Sequence, residues 1–338
     1  MAVSGEFRPH ASLRNTSGWR PSRGSSHPGW GEQMSVTPRQ LLLFLRLSRP
    51  HFLLGGILLY ALGVSIASYL GSSIDVGLYI LGQAIVTSIQ LMTHYLNEYY
   101  DAPVDIENPI RTPFSGGSGA LGPEGLPRRS ALYAGIAMLT LAATFVGILL
   151  VRGSTSLLAW LLLSLIFFGA YAYSAPPFRL VHSGYGELVA SLVVAGFLPA
   201  FAFSLHTGQL HRLILMSSVP LIAVHFAMMI IFSMPDYATD IKYNKRNLMV
   251  RVGWQTAMRI HDIAILFAAL SFFGAYLSGL PWRVSLGTLI ALPLGVAQIW
   301  QMGRIQRGQP PPWTTLTWSA LLLFGLTAYL EWMGYVFS

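Results

Sequence analysis

Two acidic clusters in this chain share a spacing suited to metal chemistry. The first is Asn97-Glu98-Tyr99-Tyr100-Asp101-Ala102-Pro103-Val104-Asp105, and the second is Pro235-Asp236-Tyr237-Ala238-Thr239-Asp240. Residues four apart on an α-helix drift only about 40° around its axis, so Asn97, Asp101 and Asp105 form one stripe. Asp236 and Asp240 repeat the spacing. Carboxylates and an amide oxygen on one face offer the hard oxygen ligands that Mg2+ prefers. Pro103 should break or kink the helix just before Asp105. The plain alternative is a pair of helix ends whose acids face water. Acids at a helix C-terminus oppose the macrodipole, however, and need some reason to be there.

Further candidates lie between and beside the clusters. Arg111 opens the run Thr112-Pro113-Phe114-Ser115-Gly116-Gly117-Ser118-Gly119. Its guanidinium and the backbone amides could hold phosphate oxygens, or the run could be a flexible connector. Lys242, Lys245 and Arg246 follow the second cluster, as basic loops after membrane spans commonly do. Tyr171, Tyr173 and Arg179 flank a Pro176-Pro177 stop, ahead of Gly184-Tyr185-Gly186-Glu187. Those tyrosines could line a cavity or simply pack. His94, one turn before Asn97, could meet an acceptor substrate or be an ordinary packed histidine.

The elements that position these residues are membrane helices. Only 10% of the 338 residues are charged and 53% are apolar, and the mean hydropathy is +0.54. Soluble domains carry about 25% charged residues. Nine apolar runs approach the roughly 20 residues that cross a bilayer. They fall near 51–70, 77–98, 131–151, 156–174, 187–205, 213–235, 259–280, 283–302 and 314–337. Unpaired backbone is untenable in lipid, so each run is expected to be a helix. The expected fold is an all-α bundle of nine transmembrane helices.

With the N-terminus placed inside, fourteen Lys and Arg residues fall on the cytoplasmic side and three, Arg152, Arg212 and Arg283, fall opposite. That asymmetry predicts a cytoplasmic N-terminus, an outside C-terminus and both acidic clusters on the cytoplasmic face. Residues 1–33 are rich in Ser, Gly, Pro and Arg and are expected to be disordered, with Met34 a possible start. Residues 34–50 are expected to form an interfacial amphipathic segment, and 51–338 the nine-helix domain. The net charge of +8 lies in short loops, not in a basic stripe, so no nucleic-acid partner is expected. The chain has no cysteine, which excludes disulfides and thiolate chemistry.

Taken in order and at these spans, the clusters resemble the NDxxDxxxD and DxxxD motifs of the UbiA superfamily of intramembrane prenyltransferases. The YSAPPFRL…GYGE and KRNLMVRVG segments are also similar to that family. Glu98 stands where the family usually has Asp, and Asn244 where it often has Gly. Many members have a Lys four residues after a Tyr on the fourth helix; here Arg179 is the nearby cation. The resemblance covers roughly residues 40–338. It implies a multi-pass protein, expected in a prokaryotic plasma membrane, that binds a prenyl diphosphate and a lipophilic or aromatic acceptor in the bilayer. It implies Mg2+ held by Asp101, Asp105, Asp236 and Asp240, with Asn97 beside them. Arg111, Lys242, Lys245 and Arg246 would bind the diphosphate, and His94, Tyr171, Tyr173 and Arg179 would line the substrate cavity. The implied acceptor is a quinone precursor such as 1,4-dihydroxy-2-naphthoate. Chlorophyllide, haem, 4-hydroxybenzoate and glyceryl phosphate lipids stay open as acceptors, as does, in another class, a polytopic transporter.

Overall fold

The computed structural model describes residues 37–153 and 155–338; the expected tail at 1–33 and Met34 lie outside them. Among the described residues the chain is helical, with one isolated bridge, Leu121 to Leu126, and no strand. Twelve helices follow in order: α1 (Pro38–Ser48), α2 (Pro50–Tyr69), α3 (Val76–Asp105), α4 (Arg128–Arg152), α5 (Leu157–Ser174), α6 (Gly186–Thr207), α7 (Arg212–Ser233), α8 (Tyr237–Lys242), α9 (Leu248–Val252), α10 (Trp254–Leu277), α11 (Trp282–Gln306) and α12 (Trp313–Val336). All but α1, α8 and α9 are long and apolar enough to cross a membrane, nine candidate spans among the described residues.

Local chemistry sets the helix ends. Asp75 accepts from the Leu78 amide at 3.0 Å to cap α3, and Ser156 caps α5 from Ala159 at 3.1 Å. Gly153 and Gly208 end α4 and α6 in the left-handed conformation. α1 carries Leu41, Leu42 and Leu45 more than half exposed, an apolar face suited to the headgroup boundary. Arg49, at φ 47°, and Pro50 then turn the chain into α2.

α3 differs from expectation. It was expected to end near residue 98 and to be broken by Pro103, yet it runs unbroken to Asp105. Proline removes the N–H that would reach the carbonyl of Tyr99. That carbonyl instead accepts from Arg128 Nε at 2.6 Å, so the helix continues with its stripe intact. In α6 a wider π turn spans Leu192–Phe197, just before Pro199, another residue without an amide donor. There α2 and α6 pack closely: a Cβ on Gly63 would lie 2.2 Å from the Pro199 carbonyl oxygen.

The spans divide by burial. Two thirds of the apolar window of α6 and of α7 is buried, against 22% for α4 and 28% for α10. Side chains such as Val151, Leu270 and Leu289 are left exposed, an apolar surface of the kind that membrane contact covers. Successive spans alternate in direction. The C-terminal ends of α3, α5 and α7 therefore meet the N-terminal ends of α2 and α6, and the chemistry gathers at that end.

Candidate active site

A cavity of about 420 Å3 runs from this end into the bundle. Its mouth is polar, lined by Arg49, Asn97, Asp101, Asp105, Glu187, Asp236, Asp240, Lys245 and Asn247. Deeper, the wall is mostly apolar, with Ile89, Ile166, Val193, Met228, Phe232 and Phe324, and it extends to Val86 and Leu198; His225 lies in this wall, bonded to Ser191.

The two clusters face each other across the mouth, and each is supplied with donors from the loop that follows the other. Asn108, just past the first cluster, donates through Nδ2 to Asp236 Oδ1 at 2.8 Å, and the Gly116 amide donates to Asp236 Oδ2 at 3.1 Å. Lys245, just past the second, donates through Nζ to Asp101 Oδ2 at 2.8 Å. Asn97 also reaches that oxygen, at 3.2 Å. Asn247 Nδ2 holds Asp240 Oδ2 at 2.6 Å. Asp101 Oδ1 and Asp240 Oδ1 stay buried without a hydrogen-bond partner among the described residues. Burying a carboxylate oxygen without a hydrogen bond is costly, and a bound cation would offset that cost.

The electrostatics follow from this packing. Burial pushes the Asp240 carboxyl up to about 7; nearby Asp236, Asp101 and Glu187 add to the rise while Lys245 opposes it. Asp236 is raised by burial too, against the pull of Lys245 and its two loop donors. Burial works against the Lys245 ammonium, but Asp101, Asp240 and Asp105 outweigh it and hold that group well above its ordinary range.

No tight group of three or more His, Asp or Glu side chains occurs among the described residues. The donor set nevertheless fits Mg2+, which commonly takes one or two carboxylates and completes its shell with water and substrate phosphate. Asp240 Oδ1 has no partner to give up, and Asp101 Oδ1 has only the longer contacts of His182 at 3.6 Å and Arg179 at 4.0 Å.

The expected cations separate. Lys245 lines the cavity. Arg111 is exposed and ties its own loop, donating to the Gly116 carbonyl at 2.7 Å and the Asp105 carbonyl at 2.8 Å. Lys242 lies outside, 3.8 Å from Glu107, and exposed Arg246 reaches Asn244. The glycine run is a folded seat: Gly117 has φ 75°, and a Cβ there would stand 2.6 Å from Asp105 Oδ2. Among the remaining expected residues, Tyr173 and His94 line the cavity, with His94 Nδ1 at 3.3 Å from the Ser48 carbonyl. Tyr171 stacks on Phe167 and is not in the cavity wall. Arg179 stands 4.0 Å from Asp101 and 3.1 Å from His182.

Several participants carried little signal in the sequence. Arg49 read only as a charge that orients the chain, yet it lines the mouth and pairs with buried Glu98. Glu98 also accepts from the Ser118 amide and hydroxyl, both at 2.7 Å. Asn108 and Asn247 have no motif spacing. Glu187 closes the GYGE run and Asn247 lies in the KRNLMVRVG segment, and those two segments were the available hints.

Comparison with known proteins agrees with this architecture. The model of the UbiA prenyltransferase family matches residues 58–324. The chain is 23% identical over 268 residues to 1,4-dihydroxy-2-naphthoate octaprenyltransferase of Bacillus subtilis (strain 168), covering 79% of this chain and 75% of that protein. Its fold is similar to that of a UbiA homolog from Archaeoglobus fulgidus bound to GPP and Mg2+, with a TM-score of 0.59, 14% identity, and 86% and 99% of the two chains covered. A digeranylgeranylglyceryl phosphate synthase is similar with a TM-score of 0.60 at 12% identity, covering 88% of this chain and 99% of the other. The chain belongs to the UbiA prenyltransferase family, and it is a multi-pass membrane prenyltransferase.

Proposed function

We propose that the protein uses Mg2+ to transfer a prenyl group from a prenyl diphosphate to an aromatic quinone precursor of the 1,4-dihydroxy-2-naphthoate kind. One observation carries this reading: Asp101, Asp105, Asp236 and Asp240 line the same polar mouth of a cavity whose deeper wall is apolar. In this reading those four carboxylates hold the metal, with Asn97 orienting Asp101. The metal, when bound, neutralises the diphosphate and stabilises the leaving pyrophosphate. Lys245 and Arg49 add fixed positive charge at the mouth. Arg111 acts through the loop it ties, while Lys242 and Arg246 raise the potential outside.

The apolar wall takes the prenyl tail and excludes water from the allylic cation. Tyr173 lines the same cavity, and an aromatic ring there can stabilise positive charge. His94 meets the acceptor. The acceptor class is supported by the name of the Bacillus subtilis relative and by the GYGE segment. The asymmetry of fourteen cations to three supports a mouth that opens to the cytoplasm.

The test is incubation of purified protein with Mg2+, labelled prenyl diphosphates and a panel of aromatic and glyceryl phosphate acceptors. Prenylated dihydroxynaphthoate and released pyrophosphate are expected. A different acceptor prenylated in its place would overturn the acceptor assignment. No release and no product with any pair would overturn the donor chemistry.

A further inference from the structure

Glu187, at the start of α6, is a buried acid in the cavity wall that the reading above leaves without a task. Its side chain is held in one orientation. Oε1 accepts from the Leu248 amide at 3.1 Å and from Ser233 Oγ at 3.5 Å. Oε2 has no partner among the described residues and is sealed from bulk water. Glu187 is 4% exposed. Its anchor Ser233 precedes Asp236 by less than one helical turn, so the carboxylate sits where the polar mouth gives way to the apolar wall. The charged and titratable groups around it are Lys245, Asp240 and Tyr173.

That boundary is where a prenyl diphosphate places its reacting carbon, with the phosphates at the carboxylates and the tail in the wall. An acceptor hydroxyl that attacks there, or activates its ring there, must give up a proton at the inner edge of the mouth. We propose that Glu187 is the general base that takes this proton, an assignment that rests on the prenyl transfer proposed above. The carbon–oxygen bond to diphosphate breaks, and its electron pair leaves with pyrophosphate. The acceptor's electron pair forms the new bond to the prenyl carbon. The hydroxyl proton passes to the Glu187 carboxylate, leaving a neutral carboxyl. Attack through oxygen gives the prenyl ether directly. Attack through a ring carbon gives a prenylated ketone, which regains its aromatic ring by tautomerising or, where that carbon carried a carboxyl, by losing CO2. General bases of this kind contribute about 10²–10⁴-fold in rate.

The test compares wild type with Glu187→Gln, which can still accept from Leu248 and Ser233. Two rates are read with Mg2+ and labelled prenyl diphosphate: pyrophosphate release without acceptor, and product formation across dihydroxynaphthoates and phenols of graded acidity. The variant should lose product formation by about 10²–10⁴-fold, far more than it loses acceptor-free release. The loss should shrink for acceptors already ionised at the assay pH. Glu187→Asp, which keeps a carboxylate, should recover part of the lost rate. Equal losses in both rates, a loss independent of acceptor acidity, or Asp performing no better than Gln would each overturn the assignment. A wild type that releases no pyrophosphate at all fails earlier, at the transfer reaction itself.

Discussion

The two acidic clusters look alike in sequence and differ in how their charges are held. Both oxygens of Asp236 are occupied by donors from the loop after α3, Asn108 and Gly116. Asp101 has one oxygen held by Lys245, from the loop after α8, and the other without a hydrogen bond, 3.6 Å from His182 and 4.0 Å from Arg179. Each cluster is thus completed by the segment that trails the other. The lesson is that the motifs are not two independent half-sites: Asn108 and Asp236 are 128 positions apart, Lys245 and Asp101 are 144 apart, and neither pair of loops can shift without disturbing the opposite helix end.

Cutting the link from the second loop to the first cluster should have the largest effect. Lys245→Ala takes from Asp101, Asp105 and Asp240 the buried ammonium they share, leaving only Arg49 in the same mouth and Arg179 at 4.0 Å from Asp101. Breaking a buried ion pair from one side costs about 3–5 kcal/mol, and losing a fixed charge at a reacting diphosphate costs on the order of 10³-fold in turnover. Thermal unfolding in detergent should show the variant well below wild type without Mg2+ and closer to it with Mg2+. A variant that melts and turns over like wild type would dissolve the cross-linked picture.

Protons and Mg2+ should compete at the free oxygen of the second cluster. Asp240 is pushed up from 3.8 to about 7, so the folded chain holds a proton between those values that the unfolded chain has released. Stability of the metal-free protein therefore falls as pH rises through that window, since the native state binds more protons there. Mg2+ affinity moves the other way, weakening by up to about tenfold per pH unit below 7. Calorimetric titrations at pH 5.5, 6.5 and 7.5 read this directly, and Asp240→Asn should flatten the trend. A flat wild-type profile would place the competing proton elsewhere.

The link from the first loop to the second cluster is expected to be the gentler of the two, because it is made by neutral donors. Asn108→Ala strands Asp236 Oδ1, a loss of about 1–3 kcal/mol, and frees the loop that Arg111 ties. Limited proteolysis between residues 106 and 125 should speed up, with Mg2+ slowing it again. If the loop stays resistant, Gly116 alone suffices to seat it.

The sequence made the helices legible because lipid leaves the backbone one solution: satisfy every N–H and C=O within the segment. The nine runs and the two stripes follow from that rule and from the four-residue period. What it left hidden depended on partners far away in the chain. Pro103 reads as a helix break until Arg128 is found on the Tyr99 carbonyl. Arg49 reads as an orienting charge until Glu98 is seen buried against it. Gly116 and Gly117 read equally as a cradle or a connector until the Cβ that Gly117 lacks is placed against Asp105.

The sharpest instance is the basic run after α8, where Lys242, Lys245 and Arg246 are equivalent by composition and unequal in the fold. Asn244 adopts φ 54°, a left-handed conformation that Asn tolerates better than most residues. The turn closes with the Lys245 amide on the Asp240 carbonyl at 2.8 Å. Lys245 is thereby sent inward, and its neighbours on either side are left in water. Lys242 and its partner Glu107 are each more than half exposed, 3.8 Å apart, a geometry worth about 0–1 kcal/mol. Lys242→Ala with Arg246→Ala should therefore change turnover by no more than about twofold at 0.15 M salt, where a Debye length of about 8 Å screens exposed charge. At low salt a modest rise in KM for the diphosphate should appear, read from initial rates at several ionic strengths. A loss approaching that of Lys245→Ala at both salt levels would mean the basic run acts as one unit and the inward turn at Asn244 confers nothing.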